Sequence, residues 1–144
     1  MKKVICSLVI FATAACTTTK QAGTSTSAKG LYQVLTQQST GGANIKFFEV
    51  LTEPAEIAML KADPNLQGKI SDGDLIKSNF IILNMGEKPT GGYSISVLEV
   101  REMPDKIMVK VKESDPEPGS MTTMAVTNPY AVVKINSKKK IEIE

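Results

Sequence analysis

The sequence contains no histidine and no tryptophan, and these absences exclude several kinds of functional site. Histidine is the usual general base near neutral pH and the commonest zinc ligand, so Ser-His-Asp and Cys-His catalytic sets are impossible. Tryptophan is among the strongest aromatic anchors at protein interfaces. The two cysteines, Cys6 and Cys16, both lie in the first sixteen residues. We therefore expect neither a disulfide nor a thiolate site in the rest of the chain.

Charge and motifs give no indication of nucleic acid, cofactor or metal binding. The formal net charge is +2, and Lys2 and Lys3 account for all of it, so the remaining chain has no basic face for nucleic acid. No phosphate loop or dinucleotide fingerprint is present. Asp72-Gly73-Asp74 lacks the regularly spaced oxygen ligands of a calcium loop and predicts a turn. We predict a protein that is not an enzyme and has no cofactor or metal, an expectation that a buried carboxylate pair in a cleft would reverse.

The first sixteen residues have the pattern of a secretory signal. Two lysines precede the apolar run 4–12, which is shorter than the roughly 20 residues of a membrane-spanning helix. Thr13-Ala14-Ala15-Cys16 resembles a bacterial lipobox, which implies a lipid on Cys16, although leucine is usual at the position of the threonine. Residues 17–29 are rich in Thr, Ser and Ala and predict a flexible tether. We expect a lipid-anchored protein of the bacterial cell envelope, at an outer membrane or periplasmic face, with plain secretion and an uncleaved anchor as alternatives.

Residues 30–144 alternate short apolar runs with turn signals, which is typical of a mainly β domain. Thr52-Glu53-Pro54 predicts the start of one short helix at 55–62. The predicted fold is a small antiparallel β-sandwich or coiled sheet of about seven strands with one short α-helix. The first two strands can pair as a hairpin across the turn 39–44. The predicted strands are 31–37, 45–51, 80–83, 93–102, 106–113, one or two within 121–135, and 140–144.

The most unusual local sequence is the glycine-rich stretch 86–92, GEKPTGG, which follows the continuously apolar run 80–83. The run predicts a strand that is buried on both faces. Pro89 fixes its own φ, and either glycine of the pair that follows can take a positive φ. The functional interpretation of the stretch is a protruding recognition loop, because a rigid tip loses little entropy on binding, but composition alone favours a structural turn. The alternative is a strand-connecting turn in which Tyr93 packs in the core.

The string from Gly86 to Ile95, GEKPTGGYSI, resembles the signature of the PrcB C-terminal domain family. Segments 47–60, 80–83 and 127–134 resemble other parts of that family, so the resemblance covers roughly residues 45–136. It implies a non-catalytic cell-surface or periplasmic module that is in some members an accessory of a protease. The leading hypothesis is therefore a membrane-tethered accessory or stabilising subunit of an exported protein complex. A second exported protein is the expected partner, with a protease as the first candidate.

The rival hypothesis is a peptidase inhibitor. The segment 88–93 also resembles a loop of chagasin-type cysteine-peptidase inhibitors, although Lys88 and Gly91 replace that family's Asn and Thr. If the loop 86–93 lies at one end of the fold with segments 114–120 and 128–130, inhibition is favoured, whereas scattering favours a scaffold. Under either hypothesis the predicted partner-binding residues are Lys88, Pro89, Thr90, Gly91, Gly92, Tyr93, Pro129 and Tyr130.

Overall fold

The computed structural model describes residues 30–144, so the predicted signal, the lipidation site Cys16 and the tether lie outside the described residues. Within the described part, seven strands form two sheets, and the mainly β, sandwich-like class predicted from the sequence is confirmed. The strands are β1 (Tyr32–Gln38), β2 (Lys46–Leu51), β3 (Asn79–Met85), β4 (Ser94–Glu102), β5 (Lys106–Ser114), β6 (Tyr130–Ile135) and β7 (Lys140–Ile143).

The larger sheet has four antiparallel strands in the order β1-β6-β3-β2, and the smaller sheet has the order β4-β5-β7. In the smaller sheet β4 is antiparallel to β5, whereas β7 runs parallel to β5. The predicted β1–β2 hairpin is wrong, because these strands lie at opposite edges of the larger sheet. The connection between them crosses the end of the sheet, where Gly42 donates its amide to the Asn128 carbonyl at 2.9 Å.

Strand β3 is buried on both faces, as its continuous apolar sequence predicts. Ile81 and Leu83 face the smaller sheet, where they belong to the core between the two sheets and are fully buried. Phe80 faces the opposite way and packs with Ile57 and Leu66 of the helical layer. The larger sheet is therefore the middle layer of three, and β3 contributes to both cores.

The helical layer contains short pieces on the outer face of the larger sheet. The helix predicted after Pro54 is α1 (Pro54–Met59), which continues as the 3-10 turn Leu60–Ala62, and a second 3-10 turn spans Pro64–Leu66. The turn predicted at Asp72 instead begins α2 (Asp72–Lys77). The reason is a capping box in which Ser71 accepts from the Asp74 amide at 3.3 Å and donates its own amide to the Asp74 carboxylate at 2.8 Å. Across residues 30–144, no helix has the length and apolar character needed to cross a membrane.

Candidate functional site

The loop 86–93 is fixed by backbone hydrogen bonds to the segment that precedes β6. Lys88 donates its amide to the Thr127 carbonyl at 2.7 Å, and Thr127 donates its amide to the Lys88 carbonyl at 2.9 Å. The Gly91 amide bonds the Thr123 carbonyl at 3.0 Å, and the Thr127 hydroxyl donates to the Thr90 carbonyl at 2.7 Å. Because the backbone of the loop is already ordered, it loses little conformational entropy when a partner binds.

The glycine pair is required because three chain segments approach each other closely here. Gly91 is buried, and a Cβ at that position would lie 2.5 Å from the Thr123 hydroxyl oxygen. Gly92 has a φ of +90°, and a Cβ there would lie 2.7 Å from the Cβ of Pro116. A side chain at either position would separate the loop from its neighbours. The positive φ expected at one of the two glycines is present at Gly92.

The other side chains of the loop divide between solvent and core. Pro89 is exposed, and the Lys88 ammonium lies 5.3 Å from the centre of the Tyr93 ring, within the range of a cation–π contact. Tyr93 is half-buried and packs against the core between the sheets. Tyr93 therefore packs against the core and also contacts the Lys88 ammonium through its ring.

The predicted residues Pro129 and Tyr130 lie beside the last residues of β3 and are buried. The Tyr130 hydroxyl accepts from the Asn65 amide at 3.0 Å and donates to the Asp63 carboxylate at 3.3 Å. Burial, together with the nearby Asp63 charge, raises the pKa of Tyr130 above its ordinary value. These two residues therefore pair with the end of β3 and, through Tyr130, pack in the helical-side core, and their predicted role in partner binding stays a prediction.

The loop 86–93 borders an open cleft of about 670 Å³ together with segments 115–117 and 120–127. We call this surface the loop-end surface: residues 86–93, 115–117 and 120–127. Two carboxylates, Asp115 and Glu117, line the cleft. Three apolar side chains extend into solvent beside them, with exposed fractions of 103%, 90% and 58%, namely Met121, Met124 and Val126.

The exposed apolar residues were missed by the sequence reasoning, which assigned 121–135 to strands. In the structure only Tyr130–Ile135 of that range forms a strand. The available signal was the absence of strict alternation in MTTMAVTNP, because a half-buried strand alternates apolar and polar residues. Segment 114–120 contacts the loop at Pro116, and segment 128–130 adjoins it, because Thr127 bonds Lys88 and Pro129 accepts from Met85. This is the clustering that the sequence analysis expected of an inhibitor.

No group of three His, Cys, Asp or Glu side chains within residues 30–144 is placed to hold a metal ion. The lowered pKa of Asp72 results from its hydrogen bond and attraction to Lys61, and that of Glu142 from its hydrogen bonds to Lys106 and Lys140. Both carboxylates lie outside the cleft and bind lysine in surface ion pairs. These shifts are therefore explained by surface ion pairing and identify no reactive group.

Residues 79–136 match the family model described as PrcB C-terminal. Over this segment the chain is similar to the PrcB C-terminal family. The family resemblance predicted from the loop sequence is confirmed. The PrcB C-terminal segment begins with β3, ends just after β6, and contains every residue predicted for partner binding.

The match covers less than half of the chain, and β1, β2, the helical layer and β7 lie outside it. An uncharacterized protein of Methanocaldococcus jannaschii is 34% identical over 62 residues, which are 43% of this chain and 37% of that protein. The matched region thus covers little more than a third of that relative's length. No solved structure matches, and the comparisons give no support to the chagasin resemblance.

Proposed function

We propose that this protein is a non-enzymatic, protein-binding accessory or stabilising subunit of an exported complex that contains a protease. A lipid on Cys16 tethers it to the membrane of the cell envelope. The observation that carries the proposal is the loop-end surface, where a backbone-fixed loop lies beside three exposed apolar side chains. The family match supports association with a protease complex.

The physical support comes from the cost of leaving large apolar side chains in water. Burying a side chain such as Met121 or Met124 contributes roughly 1.5–3 kcal/mol, so a partner that covers both gains a substantial part of its binding energy. Methionine is flexible and polarizable, so it adapts to an uneven partner surface. The fixed loop beside these residues supplies orientation, since its backbone geometry is set before the partner arrives.

The second candidate is peptidase inhibition, and one observation favours it. The loop 86–93, the segment 114–120 and the residues before Pro129 converge at one end of the fold, the arrangement expected of a wedge that enters an active-site cleft. The accessory role remains the main proposal, because the family match favours it.

A pull-down from membranes tests the surface. The bait is the full chain, either wild type or with Met121→Ser, Met124→Ser and Val126→Ser combined. These exposed side chains leave the cores intact, so the variant folds. The matched control is Ile76→Ser, which removes an apolar side chain that is 71% exposed on α2, away from the loop-end surface. We expect a partner that is captured by wild type and control and lost from the triple variant.

The activity of the captured partner separates the two candidates. If it is a protease that cleaves a peptide substrate while bound, the protein is an accessory, and if its cleavage stops on binding, the protein is an inhibitor. Equal capture by wild type and triple variant would remove the loop-end surface from the proposal.

The lipid tether is tested separately with Cys16→Ser, by fractionating cells and labelling with radioactive palmitate. We expect the wild type to take up label and sediment with membranes. The variant should take up no label and leave the membrane fraction. A wild-type chain without label would contradict lipidation but leave the binding proposal standing.

A further inference from the structure

Strand β2 has an outer edge that differs from those of the other edge strands in residues 30–144. The β1 and β4 ladders are interrupted by register shifts, at Val34/Thr36 and Val97/Glu99, and β7 has four residues. Such features reduce the tendency of an edge to pair with another strand. Strand β2 pairs with β3 over all six residues without a shift and contains no proline. Its outer edge is therefore the one best formed to accept another strand.

The direction of the hydrogen bonds identifies the groups on that edge. Met85 donates its amide to Pro129, on the side of β6, so the preceding residue Asn84 directs its backbone groups toward β2. Asn84 lies opposite Phe47. Backbone groups alternate in direction along an antiparallel strand, so Phe48 and Val50 direct their N–H and C=O groups outward. No strand of the described range pairs with them there.

A groove beside β2 continues the surface on the helical side. It has a volume of about 280 Å³, and its floor is formed by Leu51 of β2, Ile82 of β3, and Leu60. Met59 of α1, whose side chain is 76% exposed, forms one wall. A side chain from a strand added beside β2 would point into this groove, because side chains alternate between the two faces of a sheet.

The charged side chains that line the groove have one sign. Glu49 and Glu56 line it, and Glu53 lies at the start of α1 beside them. None of these three carboxylates takes part in an ion pair within residues 30–144. The nearest basic residue of β2, Lys46, is paired with Glu113 of the smaller sheet, on the other face. The groove thus matches a side chain with a long aliphatic stem and a positive end.

We propose that the β2 edge binds an extended, basic segment of a partner polypeptide as an additional antiparallel strand. The backbone of the segment pairs with Phe48 and Val50, and a lysine or arginine lies opposite Glu49 with its stem in the groove. The apolar side chains of the segment lie on the other face, beside the Phe48 ring. The β2 edge shares no residue with the loop-end surface, so this inference does not depend on the proposed function.

The experiment measures binding of a fluorescent peptide, acetyl-Lys-Val-Lys-Val-Lys-Val-amide, to the purified full chain by anisotropy. The acidic peptide with glutamate in place of lysine is the control probe. Two variants at Phe48 distinguish the contribution of the backbone to binding from that of the aromatic ring. Phe48→Pro removes both the ring and the outward N–H, whereas Phe48→Ala removes only the ring. We expect wild type and Phe48→Ala to bind, Phe48→Pro to bind at least tenfold more weakly, and Glu49→Gln with Glu56→Gln to lower affinity several-fold.

Amide hydrogen exchange on the wild type gives a result that needs no variant. The basic peptide should slow exchange at Phe48 and Val50 and leave the amides of the loop 86–93 unchanged. Absence of saturable binding, equal binding by Phe48→Pro, or tighter binding of the acidic peptide would overturn the proposal. So would a wild-type dimer in sedimentation that Phe48→Pro dissociates, because the occupant of the edge would then be a second copy of the chain.

Discussion

The position of the loop 86–93 depends on two residues at the end of β3. Asn84 is 1% exposed, and its side chain accepts from the Ala43 amide at 3.0 Å and donates to the carbonyls of Ala43 and Ile45 at 2.9 and 2.6 Å. Gly86 has a φ of +76°, and a Cβ there would lie 2.8 Å from the Lys46 amide nitrogen. Asn84 therefore holds the connection from β1 to β2, and Gly86 turns the chain away from β3.

Gly86→Ala should destabilise the protein more than Gly68→Ala does. Both glycines have a positive φ, which costs an alanine about 1–2 kcal/mol, but a Cβ at Gly68 meets nothing within 4 Å. The close contact with Lys46 adds to the cost at Gly86 alone. Chemical denaturation of both variants measures the difference. Equal unfolding free energies of the two variants would show that the backbone around Gly86 shifts to accommodate the added Cβ without loss of stability.

Asn84→Leu should lower the free energy of unfolding by roughly 3 kcal/mol, because the buried Asn84 side chain makes three hydrogen bonds that hold the connection from β1 to β2. The control is Asn136→Leu, where an exposed side chain donates one bond to the Gly30 carbonyl, and we expect a change of less than about 1 kcal/mol. Urea melts followed by circular dichroism give both values, and similar losses would contradict the role of Asn84.

Much of the loop was predictable, and Asn84 was not. Proline and glycine act through their own backbone, so their sequence alone indicated a rigid turn with a positive φ. Asn84 appears in the sequence as a polar residue within an apolar strand. Its hydrogen-bond partner Ala43 lies 41 residues away, and no local pattern connects the two.

At the scale of elements, α2 is joined to the larger sheet by one ion pair. Asp74 lies in the first turn of α2, and the ammonium of Lys134 on β6 lies 3.1 Å from its carboxylate, with side-chain exposures of 17% and 14%. Burial acts to raise the pKa of Asp74. Hydrogen bonds from Ser71 and Lys134 outweigh it, so the pKa lies below its ordinary value. The folded state therefore favours the charged carboxylate.

This pair predicts a specific pH dependence. A lowered folded pKa contributes stability that is present above pH 4 and is lost as the pH falls through the folded value. Asp74→Asn should cost about 1–2 kcal/mol at pH 7, and the difference from wild type should shrink toward zero near pH 2. Asp72→Asn, where the side chain is 94% exposed, should change little at any pH. Thermal melts from pH 2 to 7 test this, and a difference independent of pH would contradict it.

Two of the differences from expectation, α2 and the absent β1–β2 hairpin, have different reasons. The capping box Ser71-x-x-Asp74 is a local helix signal that was present in the sequence but was interpreted as a turn. The β1–β2 hairpin was a reasonable prediction from spacing alone. It fails because β6, which follows β1 by about a hundred residues, provides a mostly apolar and buried partner for it. Strand pairing over such separations is decided by the whole core and not by the turn.

At the scale of the whole molecule, β3 joins the two cores into one unit. Phe80 belongs to the helical core and Leu83 to the core between the sheets, and both are completely buried. Phe80→Ala and Leu83→Ala should each cost about 3–5 kcal/mol. We expect each variant to unfold in a single transition, with tyrosine fluorescence and far-ultraviolet circular dichroism coinciding. Two separate transitions in either variant would show that the cores are independent.

The pairing of β1 with β6 sets the order in which the chain can fold. Tyr32 lies opposite Ile135, so β1 has no partner strand until β6 has been synthesised. Contacts between residues that are far apart in sequence slow folding, because the entropy cost of closing a long loop must be met before the strand pairing stabilises it. The larger sheet of a nascent chain is therefore incomplete until β6 has been synthesised. In a protein exported as proposed, that delay gives a secretion channel time to engage an unfolded substrate.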